Sequence, residues 1–267
     1  ASSNNDKASQ GKFDFIPTEQ DLRDAIDNKQ LILYYQPQIN MKTECLHGAE
    51  VLVRWLHPEF GLIFPDKFIA LAEQTGLIEQ LSEEVIHLAI KQSVHWQKLN
   101  RATRLSINIS AQNITSLKLP EQLRMLVKKY EIDPSMIVLE LTESAVMGHL
   151  TSSLDVLNRL RMKDFLLSID DFGTGYSSLQ QLYQAPFNEL KIDRAFTSKM
   201  LHDEEAMIIV KICIMLGKML NMKTLAEGVE TQVIMDELQR LECDLAQGYF
   251  ISKPLSFNQL MDWLPQY

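Results

Sequence analysis

"FLLSIDDFGTGYSS", residues 165–178, joins an apolar run to two adjacent aspartates and a glycine-rich turn. The apolar run predicts a buried strand, and the glycines predict a tight loop directly after it. Alternate side chains of a strand point to the same face, so one of the two aspartates, Asp170 or Asp171, should point inward at the carboxyl edge of a sheet. The alternative is a solvated pair of acids that opens a surface loop.

The letters "DFG" in this stretch also match the metal-binding motif of protein kinases. A kinase would need a G-x-G-x-x-G loop, a V-A-I-K strand and an H-R-D-L-x-x-x-N loop upstream. The sequence before residue 170 contains none of these three motifs. The aspartates therefore have to be explained by a different fold.

From residue 31 onward the chain alternates short β-rich runs with longer helical patterns. The eight strand candidates are residues 31–39, 46–55, 105–110, 137–143, 165–172, 189–196, 224–230 and 246–252. Apolar residues three to four apart predict helices over residues 66–75, 79–98, 118–130, 149–162, 204–220 and 231–242. Helices between successive strands imply parallel crossovers, so the pattern predicts an α/β fold, a TIM-like (β/α)₈ barrel. Too few residues separate the first two strands for a helical crossover, so that pair should be antiparallel.

Each predicted strand carries a polar position within an otherwise apolar run. These positions are Gln36, Glu50, Asn108, Glu140, Asp170 with Asp171, Lys191, Glu227 and Gln247. Any one of them alone is typical of a hydrogen-bonded core amide or an outward-facing charge. On parallel strands they would all converge on one mouth of the barrel, where barrel enzymes place their chemistry.

Carboxylates gathered at one mouth repel each other unless cations neutralise them. Oxygen ligands from Glu, Asp and Asn favour Mg²⁺, Mn²⁺ or Ca²⁺ over zinc. The six histidines are scattered and lack a metal-ligand spacing. His202 and Asp203 form an HD pair like that of some phosphohydrolases, but the partner histidines are missing. We interpret Asp203 as the N-cap of a helix that begins near Glu204.

The composition is that of an acidic globular chain. Its 35 Asp and Glu against 26 Lys and Arg give a net charge of −9. We therefore expect no nucleic acid polymer as a partner, because such surfaces need clustered cations. No apolar stretch reaches the roughly 18 residues of a membrane span, so we expect no membrane insertion in this segment. The widely spaced Cys45, Cys213 and Cys243 predict core thiols in a reducing cytoplasm.

The polar positions of the predicted strands fall within motifs that resemble those of the EAL-domain family of cyclic di-GMP phosphodiesterases. The resemblance extends from about Asp14 to the C-terminus. The naming motif reads "EVLVRW" at residues 50–55, with Val51 where the family usually has Ala. The other matching motifs, in family order, are "RWLHPEFGLIFPDKFIALAEQTGLI" (54–78), "SINIS" (106–110), "LELTES" (139–144), "DDFGTGYSSL" (170–179), "LKIDRAF" (190–196), "TLAEGVET" (224–231) and "AQGYFISKPL" (246–255). Residues 1–13 are polar and predict a linker or a cloning boundary, which leaves residues 14–267 as the domain.

The resemblance implies a phosphodiesterase that converts cyclic di-GMP to linear pGpG with two ions of Mg²⁺ or Mn²⁺. It implies that the first ion is held by Glu50, Asn108, Glu140 and Asp170. It implies that Asp171 and Glu227, with the shared Asp170, hold the second ion. Lys191 would contact the attacking water as a base or an orienting group, with its pKa lowered by the adjacent metal charge.

For the substrate, the resemblance implies contacts from Gln36, Leu52, Arg54 and Gln247. Arg54 would bind phosphate through its guanidinium fork, Gln247 would position water or substrate, and Gln36 would touch a guanine or a ribose. Three further residues, Glu143, Ser177 and Glu230, are expected to anchor the loops that carry the ligands. Glu143 should lie where its strand breaks into a loop and should accept hydrogen bonds from residues 171–178.

Two alternatives stay open beside catalysis. One is a catalytically silent cyclic di-GMP receptor or docking module, and the other is a barrel that acts on an unrelated phosphorylated metabolite. The complete set of expected ligands and the whole "DDFGTG" loop favour catalysis. The resemblance also implies a homodimer formed near the fifth and sixth barrel units, and regulatory domains outside this segment.

Overall fold

A closed barrel lies at the centre of the computed structural model, which describes residues 15–98, 103–148, 150–175 and 179–264. Its strands are β1 (Leu31–Asn40), β2 (Leu46–His57), β3 (Gly61–Ile63), β4 (Arg104–Asn108), β5 (Ile137–Thr142), β6 (Leu166–Phe172), β7 (Glu189–Ile192), β8 (Lys223–Ala226) and β9 (Leu245–Ala246). All eight predicted strands are present. The additional β3 is a three-residue hairpin partner of β2, too short to show a periodic pattern.

The strands follow one another around the barrel in chain order, and β1 closes it by pairing with both β2 and β9. Strand β1 is antiparallel to both neighbours, whereas β2 and β4 to β9 pair in parallel. These findings confirm the TIM-like barrel and its antiparallel first strand. The carboxyl ends of the parallel strands consequently meet at one mouth.

Helices surround the barrel between the parallel strands. They are α1 (Glu19–Asp27), α2 (Ile69–Thr75), α3 (Ile78–Lys98), α4 (Leu119–Lys129), α5 (Glu143–Gly148), α6 (Leu150–Arg161), α7 (Leu179–Gln184), α8 (Arg194–Thr197), α9 (Glu204–Met219), α10 (Gln232–Arg240) and α11 (Phe257–Trp263). The six predicted helices correspond to α2, α3, α4, α6, α9 and α10. None of the described helices is long and apolar enough to cross a bilayer.

Several predicted strands end earlier in the structure than the sequence pattern indicates. Strand β7 ends at Ile192 because Asp193 caps α8, its side chain accepting a hydrogen bond from the backbone N–H of Ala195. Strands β8 and β9 likewise end one residue before Glu227 and Gln247. These two polar residues therefore lie on the first loop position above the barrel.

Helix α9 confirms the interpretation of the HD pair. The Asp203 carboxylate accepts hydrogen bonds from the backbone N–H groups of Glu205 and Ala206, which are among the unpaired donors of the first turn. The prediction of three core thiols is wrong for one of them. Cys213 and Cys243 are buried, but Cys45 is exposed because it lies in the turn between β1 and β2.

Candidate active site

The ammonium of Lys191, on β7, is completely buried among carboxylates from other parts of the barrel mouth. Its Nζ lies 2.9 Å from Glu140 Oε2, 2.8 Å from Glu227 Oε1 and 3.2 Å from Asp170 Oδ1. Glu50 Oε1 is 4.0 Å away. Within the described residues this lysine is thus the central cation of an acidic cluster.

Strand register brings these side chains together. Gln36 on β1 lies directly opposite Glu50 on β2, and Asn108 on β4 pairs with Glu140 on β5. The Asn108 amide then donates from Nδ2 to Glu50 Oε1 at 3.1 Å. Because side chains alternate along a strand, this register directs one polar residue from each strand to the same interior layer.

A bulge explains how two adjacent aspartates can serve one site. The ladder between β6 and β7 changes register between Ile169 and Phe172. Asp171 adopts a left-handed backbone with φ of 55°, and its N–H donates to Asp170 Oδ1 at 2.9 Å. A regular strand would send the two side chains to opposite faces. Here the carboxylate oxygens of Asp170, Asp171 and Glu227 lie within 4.8 Å of one another.

This donor set fits a hard divalent cation. All of its ligand atoms are carboxylate or amide oxygens, as Mg²⁺ and Mn²⁺ prefer. In addition, Glu140 Oε1 is buried without a hydrogen-bond partner among the described residues. A buried carboxylate oxygen left unpaired is costly, and a bound cation would satisfy it.

Burial and mutual repulsion shift the pKa values of the cluster. Burial raises the pKa of Glu140 well above its usual range and that of Glu227 to about 8. Burial, together with the charges of Asp170 and Asp193, raises the pKa of Asp171 to about 6. These carboxyl groups therefore hold protons more tightly in the folded protein than in an unfolded chain.

Burial alone would lower the pKa of Lys191. The opposing charges of Asp170, Glu140, Glu227 and Glu50 nevertheless raise it well above its ordinary value. The lowering expected from adjacent metal charge concerns the metal-bound site and stays a prediction. Among the protein groups alone, Lys191 stays an ammonium and acts as a hydrogen-bond donor.

A cleft of about 280 Å³ lies over the carboxylates. Its walls include all four predicted substrate residues, namely Gln36, Leu52, Arg54 and Gln247, together with Glu230 and Tyr249. The Arg54 guanidinium lies 5.0 Å from the ring centre of Phe64 and 5.7 Å from that of Tyr34. Its Nη1 donates to the carbonyl of Val53 at 2.8 Å, so the guanidinium is held at the rim of the cleft.

Glu143 is the first residue of α5, where a strand end or loop was expected. Its Oε2 accepts hydrogen bonds from the backbone N–H groups of Gly173 at 2.9 Å and Gly175 at 3.3 Å. A Cβ on Gly175 would come within 2.8 Å of Glu143 Oε1, so this contact needs glycine. Ser177 lies outside the described residues, and Glu230 is an exposed residue of the cleft wall.

Residues 19–254 match the family model described as "EAL domain". The chain belongs to the EAL domain family. A similar relative of this EAL domain is the "Bifunctional diguanylate cyclase/cyclic di-GMP phosphodiesterase MucR" of Pseudomonas aeruginosa, with 40% identity over 90% of this chain and 35% of the relative. "Cyclic di-GMP phosphodiesterase NbdA" of the same organism is 38% identical over 94% of this chain and 32% of its own length.

The EAL domain is also similar to a solved structure, "PaMucR Phosphodiesterase, c-di-GMP complex". The TM-score is 0.86 at 40% identity, and the match covers 90% of this chain and 98% of the solved one. The chain spans about a third of the length of the curated relatives that it matches. The similarity therefore concerns the EAL domain and not the full length of these relatives.

The structure adds residues to the site that sequence reasoning missed. The charge of Asp193 contributes to the raised pKa of Asp171, and Arg194 and Tyr249 line the cleft. Asp193 stands two residues after Lys191 in the "LKIDRAF" motif, which is the signal that could have found it. Arg194 and Tyr249 lie just after the ends of β7 and β9. The sequence pattern places both residues inside those strands, because it predicts strand ends several residues too far along the chain.

We expect that, in chelator, the free energy of unfolding falls as the pH rises from about 4.5 to about 8. The pKa of Glu227 is raised from 4.5 to about 8 in the fold, so the folded state binds the extra proton throughout this window. The raised pKa of Glu227 therefore stabilises the fold fully below its unfolded pKa of 4.5. This contribution to the free energy of unfolding is lost as the pH rises toward 8, by up to about 1.4 kcal/mol per pH unit for one group. Urea denaturation in EDTA across this range measures the slope.

Glu227→Gln cannot ionise at this position and should reduce the slope of the pH dependence of unfolding, leaving the part that comes from Asp171 and Glu140. The exposed Glu59→Gln is the matched control and should leave the slope unchanged. A wild-type stability that rises across the window would contradict the proton binding assigned to the cluster.

Proposed function

We propose that this EAL domain hydrolyses cyclic di-GMP to linear pGpG with Mg²⁺ or Mn²⁺ as cofactor. The observation that carries the proposal is the acidic cluster around Lys191 at the base of an open cleft. Relatives that are 38% and 40% identical carry cyclic di-GMP phosphodiesterase names, which supports the choice of substrate. In the reaction, water adds to one phosphodiester and the bond from phosphorus to a 3′ oxygen breaks.

The residues that would hold the ions are those predicted from the sequence. Glu50, Asn108, Glu140 and Asp170 would hold the first ion, and Asp170, Asp171 and Glu227 the second. When bound, the ions would make water a stronger nucleophile at neutral pH and neutralise phosphate charge. The acidic domain could then accept an anionic dinucleotide.

Lys191 is better suited to orient a water molecule than to accept its proton. Its Nζ lies within hydrogen-bond distance of Asp170, Glu140 and Glu227, and an ammonium held there can only donate hydrogen bonds. On the cleft wall, Arg54 presents a fork of donors that suits a phosphate group. The rings of Phe64 and Tyr34 limit the positions that this guanidinium can adopt.

The proposal predicts that the purified chain converts cyclic di-GMP to pGpG in Mg²⁺ or Mn²⁺ and not in EDTA. Ca²⁺ should support substrate binding with little turnover, because it is larger and coordinates more loosely. Chromatography of the nucleotides measures product, and calorimetry measures binding. Asp170→Ala and Glu50→Ala should lower turnover by orders of magnitude without unfolding the domain.

The same assay separates catalysis from the receptor alternative. Binding of cyclic di-GMP in Mg²⁺ and in Mn²⁺ without any product would identify a silent receptor. Full activity in excess chelator would exclude the proposed role of the metal. Turnover at the wild-type rate in Asp170→Ala would remove Asp170 from the ligand set.

Glu143 provides a further prediction, because it joins α5 to the loop that directly follows Asp171 and the end of β6. A carboxylate that accepts two backbone N–H groups is a stronger acceptor than an amide. We expect Glu143→Gln to lower turnover about 10–100-fold and to raise the Mg²⁺ concentration needed for half-maximal activity. Binding of cyclic di-GMP should weaken less than turnover. Kinetics across a Mg²⁺ titration provide the measurement.

Two further variants test the Glu143 contact itself. Gly175→Ala would place a methyl group against Glu143 Oε1 and should reproduce the effect of Glu143→Gln. Glu59→Gln, on the surface, should change neither turnover nor the metal midpoint. If Glu143→Gln behaves like Glu59→Gln, the carboxylate has no role in holding the loop.

A homodimer through α9 is a further part of the proposal. One face of α9 packs on the barrel through Val210, Cys213 and Ile214. The opposite face exposes four apolar side chains at helical spacing, with 47–74% of each accessible: Ile208, Ile212, Met215 and Met219. Helix α9 follows the sixth predicted barrel strand, where the family resemblance implies a dimer contact. A second copy of this chain would cover the stripe.

Ile212→Asp should convert a dimer to a monomer, since it places a charge in the centre of the apolar stripe. Sedimentation velocity over a range of protein concentrations measures this change. Met125→Asp is the control, because Met125 is an equally exposed apolar residue on α4. A wild-type chain that stays monomeric at every concentration would contradict the dimer.

We also assign the domain to the cytoplasm. All three cysteines are free, and Cys45 is exposed. A reducing compartment keeps such thiols from forming disulfides.

A further inference from the structure

A chain of side-chain amides lies inside the barrel beneath the cleft. Gln38 donates from Nε2 to Gln247 Oε1 at 2.9 Å. Gln247 in turn donates from Nε2 to Gln36 Oε1 at 3.1 Å and to Glu50 Oε2. Each of these hydrogen bonds is buried. The chain therefore links an interior glutamine to a carboxylate of the acidic cluster.

Gln38 lies below the cleft and does not line it. It follows Gln36 by two residues on β1, so both side chains face the barrel interior, but Gln38 is one layer deeper. It pairs with Gly48 on β2, where a Cβ would come within 3.2 Å of Gln38 Oε1 and 2.9 Å of the Arg104 carbonyl. With 2% of its surface accessible, Gln38 can act on the reaction only through its neighbours.

The contacts of Gln247 depend on which way its amide faces. With its oxygen toward the Gln38 donor, its NH₂ group faces two acceptors, Glu50 Oε2 and Gln36 Oε1. Rotation of the amide by half a turn would place its oxygen against both acceptors and its NH₂ against the NH₂ of Gln38. Three buried hydrogen bonds would be replaced by repulsive contacts, and unsatisfied buried polar groups are costly.

We infer that Gln38 is a positioning residue that sets the amide orientation of Gln247 and, through it, the carboxylate of Glu50. The inference rests on the proposed function, in which Glu50 is a metal ligand. Groups that orient a metal ligand typically change metal affinity or activity about 10–100-fold when they are removed. Gln38 should therefore influence ion binding although it touches neither ion nor substrate.

Two substitutions test this inference. Gln38→Met preserves length and shape but removes the donor, so the Gln247 amide loses the one of its three hydrogen bonds that its oxygen accepts. Gln38→Glu preserves the shape and presents only acceptors, so it should turn the NH₂ of Gln247 away from Glu50. We expect about 10-fold weaker Mn²⁺ binding in Gln38→Met and a larger loss in Gln38→Glu. Calorimetry with Mn²⁺ alone measures this affinity without any turnover.

Turnover supplies the second measurement. Both variants should lower kcat in parallel with Mn²⁺ affinity and raise the Mg²⁺ midpoint, while KM for cyclic di-GMP at saturating metal changes less than twofold. Gln239→Met is the matched control. Gln239 lies on α10 and donates to the Met41 carbonyl, so the control removes a glutamine donor outside the barrel. It should leave both metal affinity and kcat unchanged.

A double-mutant cycle separates orientation from a general packing effect. If Gln38 acts through Gln247, then Gln38→Met should have less than a twofold effect on Mn²⁺ affinity in a Gln247→Met background. A packing role would give the same loss in both backgrounds, together with a lower melting temperature. If Gln38→Met does not fold, the effect of Gln38→Glu on Mn²⁺ affinity is measured in its place, once in the wild-type background and once in the Gln247→Met background.

The outcomes distinguish this inference from the proposed function. A wild-type domain that hydrolyses cyclic di-GMP, with Gln38 variants that bind Mn²⁺ as tightly as wild type, would overturn the inference alone. A wild-type domain without hydrolysis would overturn the proposed function, and the Mn²⁺ affinities would still decide the role of Gln38. Equal losses of Mn²⁺ affinity from Gln38→Met in both backgrounds would also overturn the inference about Gln38.

Discussion

A single buried ammonium constrains the whole barrel mouth. Lys191 is inaccessible to solvent, and a buried charge is tolerated only when it is closely paired. Its partners Glu140, Asp170 and Glu227 come from different strands or strand ends, and the ammonium between them offsets their mutual repulsion. A one-residue slip of β7 would turn Lys191 away from them. The charge pairing and the strand register therefore depend on each other.

Around this centre, the site is supported by groups that do not enter the cleft. On one side, Glu143 accepts two backbone N–H groups of the loop that follows the left-handed Asp171 and the end of β6. On the other side, the amide chain from Gln38 reaches Glu50 through Gln247. The Glu143 hydrogen bonds are partly buried and those of the amide chain are fully buried, and hydrogen bonds to carboxylates are among the stronger ones in a protein. The positions of Glu50 and of the loop after β6 thus depend on contacts with residues that do not line the cleft.

Much of the fold and of the candidate site could be predicted from the sequence. The alternation of short apolar strands with helical patterns led to the barrel, and the short link after β1 led to its antiparallel first strand. The polar position within each apolar run indicated the mouth of the barrel, as Glu50, Asn108 and Glu140 illustrate. These predictions succeeded because periodicity, link length and side-chain chemistry are local properties that the sequence displays directly.

By itself, the sequence thus determined the strand order, the polar positions and the cap at Asp203. Only the tertiary structure decided how those polar groups meet. Asp170 and Asp171 share one site because a bulge interrupts the pleat, and that bulge depends on the pairing between β6 and β7. Nothing in the sequence indicated the role of Gln38, since its partner Gln247 lies 209 residues away along the chain. The direction of the Lys191 pKa shift depends on the sum of charges from four distant positions, and such sums exist only once the barrel has closed.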